Sequence, residues 1–102
     1  KILGLLGLCT KAGDICFGTD ACIDLILRKK VKLIIVAQDA SERTKRNLEF
    51  VCKENDIKII FFGTIEEISR AIGKDNKAVI GIKNKNFALE IEKIINGGEI
   101  IG

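Results

Sequence analysis

The residues with the clearest capacity for binding chemistry are Gly18-Thr19-Asp20, which follow a short apolar stretch and precede an apolar helical pattern. Gly18 permits a tight turn and brings the backbone close to an outside ligand. Thr19 or Asp20 is predicted to cap the helix that begins here. The free N–H groups of a helix start can bind a phosphate, and an aspartate there can accept hydrogen bonds from a base edge. An ordinary capped helix is the alternative interpretation.

Two further segments carry residues of the same kind, the turn 11–13 and the polar loop 73–77. We expect both to share one edge of the domain with the Gly18 turn. Lysines there would contact phosphates, and small polar side chains would bond base edges or sugars. The second helix is expected to end in a basic cluster, Arg28-Lys29-Lys30. The candidate RNA-binding residues are Lys11, Gly18, Thr19, Asp20, Arg28, Gly73, Lys74, Asn76 and Lys77. The five phenylalanines fall mostly in core patterns, which disfavours recognition by base stacking.

Catalytic chemistry has little support in the residue types. The chain contains no His, Tyr or Trp, so neither a Ser–His nor a Cys–His nucleophile pair can be assembled. Asp39 follows a buried strand, where it would act as a phosphoacceptor, a metal ligand or simply a helix cap. No glycine-rich phosphate cradle lies between a strand and a helix. We therefore expect that the protein is not an enzyme and that it has neither a catalytic residue nor a cofactor.

The four cysteines occupy positions 9, 16, 22 and 52. No pair has the two-residue spacing of a zinc or redox site, and no histidine is present to complete one. Each cysteine falls on an apolar face of its element, where a free thiol behaves as a small hydrophobic side chain. The prediction is four reduced cysteines without a metal.

The composition is that of a globular protein. The 102 residues are 47% hydrophobic and 30% charged, with a net charge of +3, and they predict a single domain over 1–102. No apolar run reaches the about 18 residues that cross a membrane. The apolar opening stretch is short and lacks a small-residue cleavage site, so it is not expected to be a signal peptide. The expected location is the cytoplasm.

The elements that must position these residues alternate between helices and strands. Apolar runs predict strands at 33–37, 58–62 and 78–82, buried on both faces as in a sheet between two helical layers. A brief strand is expected at 15–17. Gly13 is placed to end the first helix. Asp39 with Glu42, and Thr64 with Glu67, match capping boxes.

Several sequence pieces, in the same order over nearly the whole chain, resemble one known family. They are Leu3-Gly4-Leu5-Leu6-Gly7-Leu8, Lys11-Ala12-Gly13, Phe17-Gly18-Thr19-Asp20, the run 32–41 with Thr44, Ala71-Ile72-Gly73-Lys74, and the segment 81–88. The resemblance is to the kink-turn-binding ribosomal proteins (large-subunit proteins seven-Ae and thirty-e), and within them to the bacterial YlxQ-like branch. It implies an α/β fold, a three-layer α-β-α sandwich with a four-stranded mixed sheet.

The resemblance also implies a function. Family members contact kinked RNA helices through the glycine-led start of the second helix and through a loop before the last strand. Here Gly18 is present, while the family's asparagine, glutamate and lysine positions hold Asp20, Ala21 and Asp24. The expected partner is kink-turn or ribosomal RNA, in a ribonucleoprotein.

Two other functions stay open at this point. One is a protein–protein module of ribosome or transcription complexes, with the basic helix 43–53 against an acidic partner. The weaker one is a phosphate-handling enzyme that uses Asp39.

Overall fold

The alternation of helices and strands is confirmed in the structure, a computed structural model that describes residues 1–101 and the side chains of residues 1–96. Its elements are α1 (Ile2–Ala12), β1 (Ile15–Phe17), α2 (Thr19–Leu27), β2 (Leu33–Val36), α3 (Glu42–Glu54), β3 (Lys58–Phe61), α4 (Ile65–Ala71), β4 (Val79–Ile82) and α5 (Lys85–Ile101). None of the described helices is both long and apolar enough to span a membrane.

The four strands form one mixed sheet in the order β1-β4-β2-β3. β2 pairs with β3 in parallel, whereas β4 runs antiparallel to both β1 and β2. The predicted four-stranded mixed sheet is thereby confirmed. Every residue of β2 and β4 is buried, so these two strands form the centre of the sheet.

Helices cover both faces of the sheet, which confirms the three-layer sandwich. Along β2, Leu33 and Ile35 pack against one layer, while Ile34 and Val36 pack against the other, because successive side chains of a strand point to opposite faces. The first layer contains α1, α4 and α5, with Leu6, Cys9, Ile68, Ile72 and Ile91 buried. The second contains α2 and α3, with Cys22, Ile26, Leu48 and Cys52 buried.

The prediction that β3 is fully buried was wrong. β3 lies at an edge of the sheet, and its terminal residues Lys58 and Phe61 are exposed. Its side chains are covered only in part because, within the described part of the chain, no strand pairs with its outer side. An apolar run therefore predicted the strand correctly without revealing that it lies at the edge.

The helix ends follow the sequence signals in part. Gly13 ends α1 in the left-handed conformation, with a φ of 74°, and Thr64 and Glu67 form the predicted capping box of α4. At α3, however, the cap is Ser41, whose Oγ accepts a hydrogen bond from the Thr44 N–H. The expected capping box between Asp39 and Glu42 is wrong, because Asp39 bonds to a different helix.

Candidate functional site

The turn at Gly18 joins β1 to α2 by a backbone conformation that favours glycine. Gly18 has a φ of 96°, a region that L side chains rarely adopt. Its N–H donates to the carbonyl of Val79 (2.9 Å), and its carbonyl accepts from the N–H of Cys22 (3.0 Å). The turn is therefore fastened both to β4 and to the first turn of α2.

Among the described side chains, none caps the N-terminus of α2. Gly18 is the cap residue, so the prediction that Thr19 or Asp20 caps this helix was wrong. Both residues lie inside the first helical turn, where their side chains cannot take the cap position. Thr19 is half-buried and Asp20 is exposed. The first amides of α2 remain without a side-chain cap, beside an exposed carboxylate.

The polar loop 73–77 is held by Ser69, a residue that no sequence motif marked as functional. Ser69 is buried, and its Oγ accepts a hydrogen bond from the Lys77 N–H (2.8 Å) and donates to the Lys77 carbonyl (3.3 Å). The Ser69 carbonyl accepts from the Lys74 N–H (2.8 Å). Ser69 thus fixes both ends of the loop. The available signal was a small polar residue between Ile68 and Ile72 on the inner side of a helix.

Phe17 brings the loop and the turn together. The ammonium Nζ atoms of Lys74 and Lys77 lie 4.9 Å and 5.6 Å from the centroid of the Phe17 ring, within the range of cation–π attraction. Phe17 directly precedes Gly18, so both lysines stand beside the turn. The Phe17 side chain is half-buried. We call the surface formed by residues 17–20 and 73–77 the Gly18 surface.

Two of the candidate residues, Lys11 and Arg28, lie outside the Gly18 surface. The turn 11–13 is at the other end of β1, where Lys83, just after β4, donates its N–H to the carbonyl of Asp14 (2.8 Å). Gly18 bonds instead to Val79, the first residue of β4. The expectation that Lys11 shares an edge with Gly18 was wrong, because β1 spans the distance between them. Arg28 follows the last residue of α2 and forms an ion pair with Asp24 (3.2 Å).

Asp39 was predicted to cap α3, but in the structure it bonds to the start of α4. Its Oδ1 accepts a hydrogen bond from the N–H of Ile65, the first residue of α4, at 2.8 Å. It lines an open groove of about 670 Å³ with Arg70 and Lys74. Within the described residues, no group of three or more His, Cys, Asp and Glu residues is arranged to hold a metal ion. The carboxylate thus helps to cap α4, and not, as was predicted, the helix that follows it in sequence.

The sequence of this chain matches one family model over residues 1–91, described as the ribosomal protein L7Ae/L30e/S12e/Gadd45 family. Among curated proteins, it is similar to the RNA-binding protein YlxQ of Enterococcus faecium, with 33% identity over 97 residues that cover 95% of this chain and 93% of the relative. The RNA-binding protein YlxQ of Bacillus subtilis (strain 168) is 25% identical over 92 residues, which cover 90% of this chain and 92% of the relative.

Solved structures share the fold. A protein of unknown function from Bacillus halodurans C has a TM-score of 0.91 and 31% identity, and the match covers 94% of this chain and 97% of that chain. The 15.5kD RNA binding protein of Giardia lamblia has a TM-score of 0.77 and 21% identity, with 98% of this chain and 86% of that chain covered. At this lower identity the likeness concerns the fold alone.

Proposed function

We propose that this chain, which belongs to the ribosomal protein L7Ae/L30e/S12e/Gadd45 family, binds structured RNA through the Gly18 surface. The observation that carries the proposal is that residues 17–20 and the loop 73–77 meet at Phe17, which places Lys74 and Lys77 beside the turn. The similarity to curated relatives that are named RNA-binding proteins supports it.

Each part of the Gly18 surface has a distinct role in the proposal. Gly18, without a side chain, lets the RNA approach the backbone at the start of α2. The exposed carboxylate of Asp20 accepts hydrogen bonds from base N–H groups, such as those of guanines in sheared G·A pairs. The ammonium groups of Lys74 and Lys77 contact phosphates. The target is accordingly a kinked RNA helix, whose bend exposes base edges between two backbone segments.

The departures from the family pattern lie on α2. Asp24, which replaces the family's lysine, is exposed and forms an ion pair with Arg28. A carboxylate at this position repels phosphates, and the ion pair only partly neutralises it. We therefore expect weaker binding than a lysine at position 24 would give, with the contacts of Asp20, Lys74 and Lys77 retained.

The test is a titration of the protein with a kinked RNA and a straight RNA duplex of equal length, at two salt concentrations. Asp20→Ala should cost about 1–3 kcal/mol of binding free energy on the kinked RNA and little on the straight one. Lys74→Ala and Lys77→Ala should weaken binding to both RNAs and reduce the salt slope by about one per lost contact. Lys53→Ala is the matched control, since Lys53 is exposed on α3, which packs beside the opposite edge strand.

Equal affinity of the unmodified protein for both RNAs would contradict a kinked target. Absence of RNA binding would favour the second candidate function, a protein–protein module. One observation supports that alternative: Phe50 on α3 is 64% exposed. Arg46 and Lys53 lie one turn before and after it on the same helix face, a combination suited to an acidic protein with an apolar anchor.

A further inference from the structure

The end of the sheet opposite the Gly18 surface carries a concentration of lysines. Lys32 donates its N–H to the carbonyl of Ile82 (2.7 Å). Because Leu33 pairs with Ile82 in the antiparallel register of β2 and β4, Lys32 and Lys83 stand directly across from each other just beyond the ladder. Both side chains are exposed. Like charges in such a cross-strand position repel each other.

Two more lysines of the basic cluster adjoin this pair. The N–H groups of Lys29 and Lys30 bond to the carbonyls of Ile26 (3.0 Å) and Leu25 (2.8 Å), which closes the C-terminus of α2. Lys29 occupies the left-handed position of this cap, with a φ of 58°, where glycine is the usual residue. Buried Val31 then fixes the chain between Lys30 and Lys32. We call the group formed by Lys29, Lys30, Lys32 and Lys83 the lysine end.

None of the four lysines of the lysine end forms an ion pair with a carboxylate among the side chains of residues 1–96. The ion pairs among the described side chains are Asp24–Arg28, Glu42–Lys45 and Glu66–Arg70. None of them includes one of these four lysines. The nearby Asp14 carboxylate accepts a hydrogen bond from the Asn84 amide (3.3 Å). The dipole of α2 favours cations at Lys29 and Lys30, but it does not account for Lys32 opposite Lys83.

We propose that the lysine end is a second RNA contact, which binds the phosphate backbone without regard to sequence or to a kink. This inference rests on the proposed function for the identity of the polyanion. The Gly18 turn bonds to the first residue of β4, and Lys83 follows the last one, so the length of β4, about 13 Å, separates the two surfaces. A second backbone segment would occupy the lysine end, and the protein would bridge two segments of a folded RNA.

The test compares the unmodified protein with the double variant Lys32→Gln/Lys83→Gln on a straight RNA duplex over a range of salt concentrations. We expect the variant to bind about tenfold more weakly and to lower the salt slope by about two. The double variant Arg46→Gln/Lys93→Gln is the matched control: both residues are exposed, and their helices lie on opposite faces of the sheet. It should change the affinity by no more than about twofold. Equal affinity and slope for the lysine variant and the unmodified protein would overturn the inference.

A second comparison separates this inference from the proposed function. Gly18→Val should remove the preference for the kinked RNA and leave the lysine-dependent binding to straight duplex in place. If the unmodified protein shows no kink preference but its duplex binding depends on Lys32 and Lys83, the proposed function fails and the lysine end stands. Lysine-dependent sedimentation with vesicles of anionic phospholipid, without binding to either RNA, would overturn the lysine end as an RNA contact. Circular dichroism checks that each variant is folded.

Discussion

The Sγ atoms of Cys16 and Cys22 lie 3.4 Å apart beneath the Gly18 turn. Cys16 belongs to β1 and Cys22 to the first turns of α2, so the contact joins the two elements that the turn connects. A hydrogen bond from Cys22 lowers the pKa of the Cys16 thiol. The same contact, together with burial, raises the pKa of Cys22. The two thiols thus differ in acidity although they touch.

This difference predicts the order in which the cysteines react. In the folded protein at mildly alkaline pH, iodoacetamide should modify Cys16 first, because the thiolate is the reactive form and Cys16 is the less completely buried of the pair. Mass spectrometry of timed samples measures the order. In urea the four cysteines should react at similar rates. Earlier modification of buried Cys9 or Cys52 in the folded protein would contradict the prediction.

Stability should fall above about pH 9. Burial raises the pKa of Cys9 and of Cys52 to about 11, above the value of an exposed thiol. Between these values the unfolded chain loses thiol protons that the folded chain keeps, so the free energy of unfolding decreases as pH rises. Each pKa unit corresponds to about 1.4 kcal/mol. Urea midpoints between pH 8 and pH 11 measure the decrease.

Cys52→Ala tests the source of this pH dependence. The variant should be less stable at neutral pH, because it leaves a cavity at a fully packed position, but its stability should decline less steeply with pH. Since all other groups are the same in both proteins, only the difference between the two curves is informative. If the stability of both proteins declined equally with pH, groups other than Cys52 would be the cause of the decline.

Gly81 is required by packing in the centre of the sheet. A Cβ at this position would lie 2.7 Å from Cys16 Sγ and 3.2 Å from both Ile34 Cδ1 and Val31 Cγ1. Gly81→Ala should therefore destabilise the protein by about 1–3 kcal/mol, measured by urea denaturation. Gly4→Ala on α1 is the control, because a Cβ there would meet no atom of the described residues within 4 Å. That change should stabilise the helix by up to about 1 kcal/mol, and a similar loss for both variants would argue against steric contact as the cause.

Asp24→Lys should improve binding to kinked RNA. The substitution exchanges a carboxylate for a cation on the exposed side of α2, and we expect it to steepen the salt slope by about one. It also replaces the attraction to Arg28 with repulsion, at a cost in stability of about 0.5 kcal/mol. Asp24→Asn should give an intermediate affinity, because it removes the negative charge without adding a phosphate contact. Unchanged affinity for both variants would show that position 24 faces away from the RNA.

Local patterns determined most of the secondary structure of this protein. Hydrophobic runs and periods placed the strands and helices, since burial of apolar side chains depends on their spacing. Gly13 and the pair Thr64–Glu67 marked helix ends, because the residues concerned are neighbours along the chain. The turn at Gly18 and the loop 73–77 were identified from glycine and polar residues alone.

Only the tertiary structure decided which of these local features meet. The order β1-β4-β2-β3 depends on pairing between strands distant in sequence, and the hydrophobic period of a strand does not encode its neighbours. This order placed β3 at an edge and brought Lys74 and Lys77 beside Phe17. The hydrogen bond from the Ile65 N–H to Asp39 also joins segments that are distant in sequence. The same is true of the position of Lys32 across from Lys83. Such contacts arise from three-dimensional packing of the whole chain, which no single segment specifies.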